Sequence, residues 1–287
     1  MTTPDAEVHV LEPYRVRRAS IHAAPPSPAS SVDARRELRL AAVSADASGT
    51  TEINLSSLWR QLARGTSRVV DGFFSEDHCY LLVCLKTEAA EAGPTEARRM
   101  AILEAVLNAG QQTSVAIDLE LAPSTVAMSA RLALESFGVS CKPSRAHPIL
   151  MLAVWAANES MAARARCSTL IGQDDRELRV IAVSRPERCL PAGLPSAERA
   201  IIRCLVEGLC HEEIARRRGT SSRTIANQIG AVFRRLQLSG RNELVQRLFF
   251  EQSLHLQAAQ PIIQTLIAPS ATDPSLAAGR EAARRSA

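Results

Sequence analysis

Aromatic residues are scarce in this chain: Phe, Trp and Tyr together make up 3% of its 287 residues. So few rings disfavour the stacking platforms that hold single-stranded nucleic acid, and they disfavour aromatic ligand cages. The 46% of hydrophobic residues must therefore form mainly aliphatic cores. A chain of this length has room for one or two modules with tails.

Metal-type cysteine spacings and long apolar runs are also lacking. The seven cysteines form no C-x-x-C pair and no zinc-finger or iron–sulfur pattern, and their odd number does not fit a complete disulfide framework. The N-terminus lacks the apolar core of a signal peptide, and the longest apolar run, Ile149 to Ala157, is too short to span a bilayer. We therefore expect a soluble, cytoplasmic protein with reduced cysteines and no contact with a membrane.

Motifs for catalysis do not stand out either. The sequence has no G-x-S-x-G, no P-loop, no Rossmann glycine pattern and no convincing pair of carboxylates. We therefore expect no enzyme, no catalytic residues, no metal site and no cofactor.

Composition divides the chain into segments. The N-terminal residues mix Pro, Ala and Ser with scattered charges and show no sustained apolar period, which is typical of disorder. The last residues have a similar composition. The predicted organisation is a disordered segment at 1–51, a hairpin with a degenerate helix-turn-helix unit at 52–158, a connecting hairpin at 159–193, a DNA-binding domain at 194–254 and a mostly disordered tail at 255–287.

A shift of 99 residues aligns two halves of the folded region without a gap. Apolar positions coincide at this shift: Leu103, Val106 and Leu107 fall on Ile202, Leu205 and Val206, Val115–Ala116 on Ile214–Ala215, and Val139 on Leu238. The strand-like runs Tyr80–Cys84 and Arg179–Val183 coincide as well. We infer a duplicated unit. The predicted fold is mainly α with small β-hairpins: two tandem tetrahelical helix-turn-helix units, each preceded by a β-hairpin.

The second unit carries the strongest pattern. Its apolar spacing predicts helices from about Ser196 to Glu207, from His211 to Arg218 and from Ser222 to Leu236. Gly219 is placed to break the second helix, and Ser221 is placed to cap the third. This is the layout of a helix-turn-helix in which the third helix enters the major groove of DNA.

Polar and basic side chains cluster around that third helix. Short polar or charged groups at its start can reach base edges, and they are Ser222, Arg223, Thr224, Asn227 and Gln228. Ser221, the cap, is a further candidate for a DNA contact. Candidates for contacts with the phosphate backbone are Arg216, Arg217, Arg234 and Arg235. Between residues 198 and 247 there are ten arginines and five acids, so the local charge of +5 exceeds the +4 of the whole chain.

These residues resemble the LuxR-type helix-turn-helix family. The segments E-R, L-x-x-G-L, E-I-A-R-R, G-T-S-x-R-T-I-x-N-Q, F-R-R-L and R-x-E-L-V occur in order and at the family's spacing over about 58 residues. The resemblance implies a tetrahelical DNA-binding domain that dimerises, often through its fourth helix, which here covers about 241–250. It therefore assigns dimer contacts to Leu244, Val245 and Leu248.

The resemblance also implies which positions meet DNA. Base contacts would fall on Ala226, Asn227 and Gly230, while Arg223 and Thr224 would lie near phosphate. Lysines are common in the family at the positions of Ala226 and Gly230, and this chain departs from that pattern.

The first unit has the same apolar skeleton but a different surface. Ile117-Asp118-Leu119 stand where the second unit has three arginines, and Glu135-Ser136 stand where it has Arg234-Arg235. Most of the charge that would neutralise phosphates is therefore lost. We interpret this unit as a helix-turn-helix relic that serves packing or dimerisation.

Two function classes follow from these patterns. The first is a transcription regulator that binds double-stranded DNA as a homodimer and recruits or blocks RNA polymerase. The alternative is a protein-interaction regulator that sequesters a related protein in mixed dimers without useful DNA binding. Alanines at Arg223, Arg234 and Arg235 separate them, because only the first class needs those side chains.

Overall fold

Helices dominate the fold, and one antiparallel sheet joins its two halves. The computed structural model describes residues 28–85, 93–109, 111–158, 163–172, 176–190, 193–250 and 252. Its helices are α1 (Pro28–Ser48), α2 (Leu55–Ala63), α3 (Pro94–Ala109), α4 (Gln112–Asp118), α5 (Pro123–Ser136), α6 (Pro148–Ala157), α7 (Ser196–Val206), α8 (His211–Arg218), α9 (Ser222–Leu236) and α10 (241–250). Short 3-10 helices cover Pro143–Arg145 and Pro186–Cys189.

The sheet has five strands in the order β1-β4-β5-β3-β2, and all neighbours are antiparallel. They are β1 (Thr51–Asn54), β2 (Ser67–Phe74), β3 (His78–Leu85), β4 (Arg164–Ile171) and β5 (Glu177–Ser184). The two predicted hairpins, β2–β3 and β4–β5, are confirmed. A two-stranded hairpin on its own is only marginally stable in water. Here the two hairpins stabilise each other because β3 pairs with β5.

Helix α1 corrects the prediction of an N-terminal disordered segment. Residues 1–51 were expected to be disordered, yet Pro28–Ser48 is helical and Thr51 begins a strand. Ala42 joins an apolar cluster on one face of the sheet, and the buried Arg39 forms an ion pair with Asp71 at 2.7 Å. The buried face of α1 is formed by small and charged residues. Large apolar side chains therefore do not recur along it at helical spacing, which is the pattern that predicts a helix. Residues 1–27 lie outside the described residues.

Helix α6 forms the apolar centre on the other side of β3. All its residues from Pro148 to Trp155 are buried, and it packs against α2 and α3. His147 accepts a hydrogen bond from the Ile149 N–H at the start of α6 and stacks on Phe74 at 4.9 Å between ring centroids. This packing ties the helices that follow the first hairpin to the sheet.

Two sets of three helices follow the two hairpins, α3–α5 and α7–α9. The helices α5 and α9 begin 99 residues apart, at Pro123 and Ser222. The aligned apolar positions are buried in both sets: Leu103 and Ile202, Val106 and Leu205, Leu107 and Val206, Val115 and Ile214, Val126 and Ile225. Each third helix packs on its first and second helices.

The described residues up to Leu248 form one compact unit, and those from Phe249 onward belong to a second. The pairing of β3 with β5 lies within the first unit and joins the predicted 52–158 segment to the 159–193 segment. Among the described helices, none is both long and apolar enough to cross a membrane.

Candidate nucleic-acid interface

An aliphatic core holds the three helices α7, α8 and α9 together. Its side chains are at most 5% exposed and come from all three helices: Ile201, Ile202, Leu205, Val206, Ile214, Ala215, Ile225, Ile229 and Val232. The predicted helices agree with the observed ones to within one residue. Cys204 is also buried here, and burial raises the pKa of its thiol, as expected for a cysteine that packs in a core.

Helix α8 is fixed at both ends by local sequence. At its start, the Cys210 N–H donates to the Glu213 carboxylate at 2.7 Å, which completes a capping box. At its end, Gly219 adopts a left-handed backbone with φ of 63°, a conformation that glycine takes without strain. The chain therefore turns sharply from α8 into α9.

The N-terminus of α9 presents polar groups to solvent. Ser221 caps the helix, because its hydroxyl accepts the Thr224 N–H at 3.1 Å. Exposed side chains among the candidate DNA contacts are Ser221, Ser222, Arg223, Thr224 and Asn227. Gln228 is half-buried, and its Oε1 has no hydrogen-bond partner within the described residues. Free N–H groups at a helix start attract anions such as phosphate.

One face of α9 carries the exposed functional groups along its length. Arg223, Asn227, Gly230 and Arg234 are spaced by four, three and four residues, so they share one side of the helix. The buried Ile225, Ile229 and Val232 belong to the opposite side. The helix therefore offers a polar, basic ridge to a partner while its apolar side fixes it to the core.

The predicted phosphate-binding arginines differ in their present contacts. Arg216, Arg223 and Arg234 have no ion pair in the described part of the chain. Arg217 donates to Glu207 at 2.7 Å, and Arg235 donates to Glu198 at 3.0 Å. Because Glu207 is buried and Glu198 mostly so, Arg217 and Arg235 are oriented by these pairs.

A buried ion-pair network behind α8 links it to the sheet. Glu207 accepts hydrogen bonds from both Arg217 and Arg185, the second at 2.8 Å. Arg185 follows β5, contacts Glu187 and donates to the Ser75 carbonyl at 2.9 Å in the β2–β3 turn. Charge pairs of this kind hold a fixed geometry because losing one partner leaves a buried charge unpaired.

Arg241, at the start of α10, was not singled out by the sequence. Its guanidinium donates to the carbonyls of Leu205 at 2.5 Å and Val206 at 3.0 Å, at the end of α7. It also donates to Ala146 at 2.9 Å and Ser144 at 3.2 Å, beside α6. One side chain thus connects α7 to the first half of the protein, and no local pattern reveals it because these four acceptors are backbone carbonyls.

Arg145 strengthens the same junction. It donates to the Gly208 carbonyl at 2.6 Å and to Glu213 at 2.5 Å, the residue that caps α8. Burial raises the pKa of Glu213, but the hydrogen bonds from Cys210 and Arg145 outweigh it and leave the pKa lowered. The carboxylate therefore stays charged and keeps α8 anchored.

The residues assigned to a dimer contact lie inside the protomer. Leu244, Val245 and Leu248 are 1%, 0% and 3% exposed, respectively. In the protomer their apolar surface is therefore covered by the chain itself. Dimerisation stays a prediction, and a dimer must use other residues or expose these three.

The equivalent surface of α4 and α5 is apolar. Ile117 is 72% exposed, Met128 49% and Leu119 44%. At the shift of 99 residues they correspond to Arg216, Asn227 and Arg218 of the second set. The two sets of helices thus share their buried positions and differ in the surface that would face DNA.

Comparison with known proteins identifies the C-terminal set. No curated protein and no solved structure matches the chain significantly. A family model described as bacterial regulatory proteins of the luxR family matches residues 193–248. This range contains α7, α8, α9 and most of α10, and it confirms the resemblance seen in the motifs. Residues 193–248 are therefore a LuxR-type helix-turn-helix domain.

Proposed function

We propose that this protein is a transcription regulator that binds double-stranded DNA through α9. The observation that carries the proposal is the exposed ridge of Arg223, Asn227 and Arg234 on a capped helix within a LuxR-type domain. Such a helix enters the major groove by its N-terminal end, where side chains read base edges.

Arg216 and Arg234 add the phosphate contacts. Both are exposed and have no ion pair within the described residues. Cations near phosphates release counterions from DNA, which makes binding depend steeply on salt. Arg217 and Arg235 lie beside them, but each already forms an ion pair, with Glu207 and Glu198 respectively.

We further propose that α3–α5 is a degenerate helix-turn-helix that no longer binds DNA. The coincident buried positions support a common origin of the two sets. The exposed Ile117, Leu119 and Met128 support the loss of DNA binding, because apolar side chains contribute no charge to phosphates. Binding as a homodimer and action on RNA polymerase remain predictions of this proposal.

Fluorescence anisotropy of the full-length protein on random labelled duplexes, at several salt concentrations, tests the proposal. Arg223→Ala combined with Arg234→Ala should weaken binding at least about tenfold and reduce the salt slope by about two. Arg131→Ala is the matched control, because Arg131 occupies α5 at the position equivalent to Gly230 and is half-exposed beside Glu135. It should leave binding unchanged.

The same measurement addresses the sequestering alternative. If the wild-type protein and the double variant bind DNA equally and weakly, α9 does not read DNA. In that case the exposed apolar surface of α4 and α5 becomes the stronger indication of function, and mixed-dimer formation is the next experiment.

A further inference from the structure

A groove lies between the 3-10 helix Pro186–Cys189, α7 and α8, on the flank of the DNA-binding domain. Its volume is about 530 Å³, within the range of small-molecule sites. Four arginines line it together with one carboxylate: Arg199, Arg203, Arg217, Arg218 and Glu187. Neither the LuxR-type resemblance nor the DNA contacts proposed above require a cavity at this place.

The charge of the groove is positive. Among the described residues that line it, one is acidic: Glu187, which is 4% exposed and is already paired with Arg185. Arg203 approaches Glu187 only to 4.0 Å and keeps half its side chain in solvent. Arg217 is paired with Glu207 at 2.7 Å, and Arg199 donates to the Leu194 carbonyl at 3.1 Å. Four arginines of the groove therefore stand against two carboxylates, those of Glu187 and Glu207.

Two buried polar atoms at the groove have no partner within the described residues. They are Nε of Arg218 and Oε2 of Glu187. Nε of Arg218 is a donor of a charged group without an acceptor, which is unfavourable and which an anion would relieve. Oε2 of Glu187 is an acceptor, so an anion does not satisfy it and must bind on the arginine side of the groove. The groove thus combines space, positive charge and an unused donor.

We propose that this groove binds a small phosphate-bearing anion. Guanidinium groups match phosphate oxygens in planar, two-bond contacts, and one phosphate can accept from several arginines at once. A cation is excluded by the charge, and a carboxylate satisfies fewer of the donors. Of the remaining lining, Leu190, Ala200 and Cys204 offer a limited apolar wall for the rest of the ligand, and Ser196 adds a hydroxyl group.

The position of the groove gives binding a consequence for DNA. Arg217 is part of both the groove and the ion-pair chain through Glu207 and Arg185 to the sheet. A phosphate that engages Arg217 competes with Glu207 and changes how α8 is held. This effect on DNA affinity rests on the proposed function, whereas anion binding itself does not.

The test is a calorimetric titration of the DNA-free, full-length protein with inorganic phosphate and with pyrophosphate, against chloride at matched ionic strength. Arg199→Gln combined with Arg203→Gln should weaken phosphate or pyrophosphate binding at least about tenfold, because two donors are lost. Arg36→Gln combined with Arg98→Gln is the control, since both arginines are exposed elsewhere and the change in net charge is equal. It should bind like the wild type.

Each contrary outcome has a distinct meaning. No binding beyond chloride, or an equal loss in both double variants, overturns the proposal. If Arg199→Gln with Arg203→Gln weakens only DNA binding, these arginines hold backbone phosphates and the proposal is also overturned. Arg203→Gln alone, at a half-exposed position, provides a folded variant should the double one unfold. Failure of DNA binding by the wild type leaves the phosphate titration interpretable.

Discussion

Glu120 and Gly219 adopt the same left-handed backbone conformation, with φ angles of 52° and 63°, at equivalent turns of the two helical sets. They lie 99 residues apart, each between the second and third helices. A second pair follows the third helices, where Gly138 has φ of 96° and Gln237 has φ of 54°. The shared turns support a common origin of the two sets, and each pair contains one non-glycine residue in a strained conformation.

Replacing Glu120 by glycine should therefore stabilise the protein. The left-handed conformation costs a residue with a β-carbon about 1 kcal/mol, so Glu120→Gly should raise the free energy of unfolding by about that amount. Gly219→Ala should lower it by a similar amount, because an added Cβ has no atom within 4 Å and only the backbone is strained. Urea denaturation measures both changes.

Glu120→Ala is the control for this pair of substitutions. It removes the carboxylate but keeps the β-carbon, so the backbone strain remains and the free energy of unfolding should stay near that of the wild type. If Glu120→Gly is no more stable than Glu120→Ala, the strain argument is wrong.

The register of the sheet shows what the sequence could predict. The shift of 99 residues carries Leu81 onto Val180 and Leu82 onto Ile181. In the sheet, however, Leu81 pairs with Ile181 and Leu82 pairs with Val180. The partners in the sheet are therefore not the residues that the shift of 99 aligns. The runs that form the strands were evident from their apolar residues, but their pairing was not, because no local pattern encodes contacts across about 100 residues.

Helix α1 and Arg241 show why the rest was missed. The buried positions of α1 include Arg39, Ala42 and Asp46, whose partners lie on distant strands, so neither period nor hydrophobicity marks them. In the sequence, Arg241 is one of the ten arginines that make the second unit basic, and nothing distinguishes it from the others. Its role depends on carbonyls of four residues in two other parts of the chain, and carbonyls carry no sequence signal.

Removing Arg241 should weaken the junction between the two halves. Arg241→Ala leaves the carbonyls of Leu205, Val206 and Ala146 without this donor, and we expect the free energy of unfolding to fall by about 3 kcal/mol. Chemical denaturation followed by tryptophan fluorescence measures it, because Trp59 and Trp155 are both buried in the first half. Arg241→Lys keeps the charge but cannot span the acceptors, so it should lie in between.

Arg216 supplies the comparison for Arg241. It is exposed on α8 and has no ion pair among the residues that the structure describes. Arg216→Ala should change the free energy of unfolding by less than about 0.5 kcal/mol, while it weakens DNA binding and lowers the salt slope by about one. Equal stability losses in Arg216→Ala and Arg241→Ala would contradict the role assigned to Arg241.

His147 should make the protein less stable as the pH falls. Burial lowers the pKa of this imidazole to about 3, whereas its ordinary value is 6.5. Below pH 6.5 the unfolded chain therefore binds a proton that the folded one does not. The stability due to neutral His147 is complete above pH 6.5 and decreases, by about 1.4 kcal/mol per pH unit, as the pH falls towards 3.

His147→Asn isolates this contribution. Asparagine also accepts a hydrogen bond at a helix start, so it can replace the contact with the Ile149 N–H. The stability advantage of the wild type over this variant should shrink by about 1 kcal/mol between pH 7 and pH 5.5. The other histidines are common to both proteins and cancel in the difference. A constant difference across this range would show that His147 does not stay neutral.

Adding lysines on the exposed face of α9 should strengthen DNA binding. Ala226 is exposed, and a Cβ at Gly230 would meet only Arg234 Nη1, at an ordinary 3.6 Å. Ala226→Lys combined with Gly230→Lys should therefore fit without strain and remove the cost of glycine inside a helix, about 1 kcal/mol. Each added phosphate contact steepens the salt dependence, so the slope should increase by up to about two.

The matched control places two lysines on α5 instead. Ala127→Lys with Met128→Lys adds the same charge on the surface of the first set, where Met128 is half-exposed. If α9 alone meets DNA, this variant should keep the wild-type salt slope, while the α9 variant gains both affinity and slope. Equal gains in the two variants, measured by anisotropy on the same duplexes, would mean that net charge rather than α9 governs binding. Because the control tests α5 directly, it also tests whether the first helical set has lost its contact with DNA.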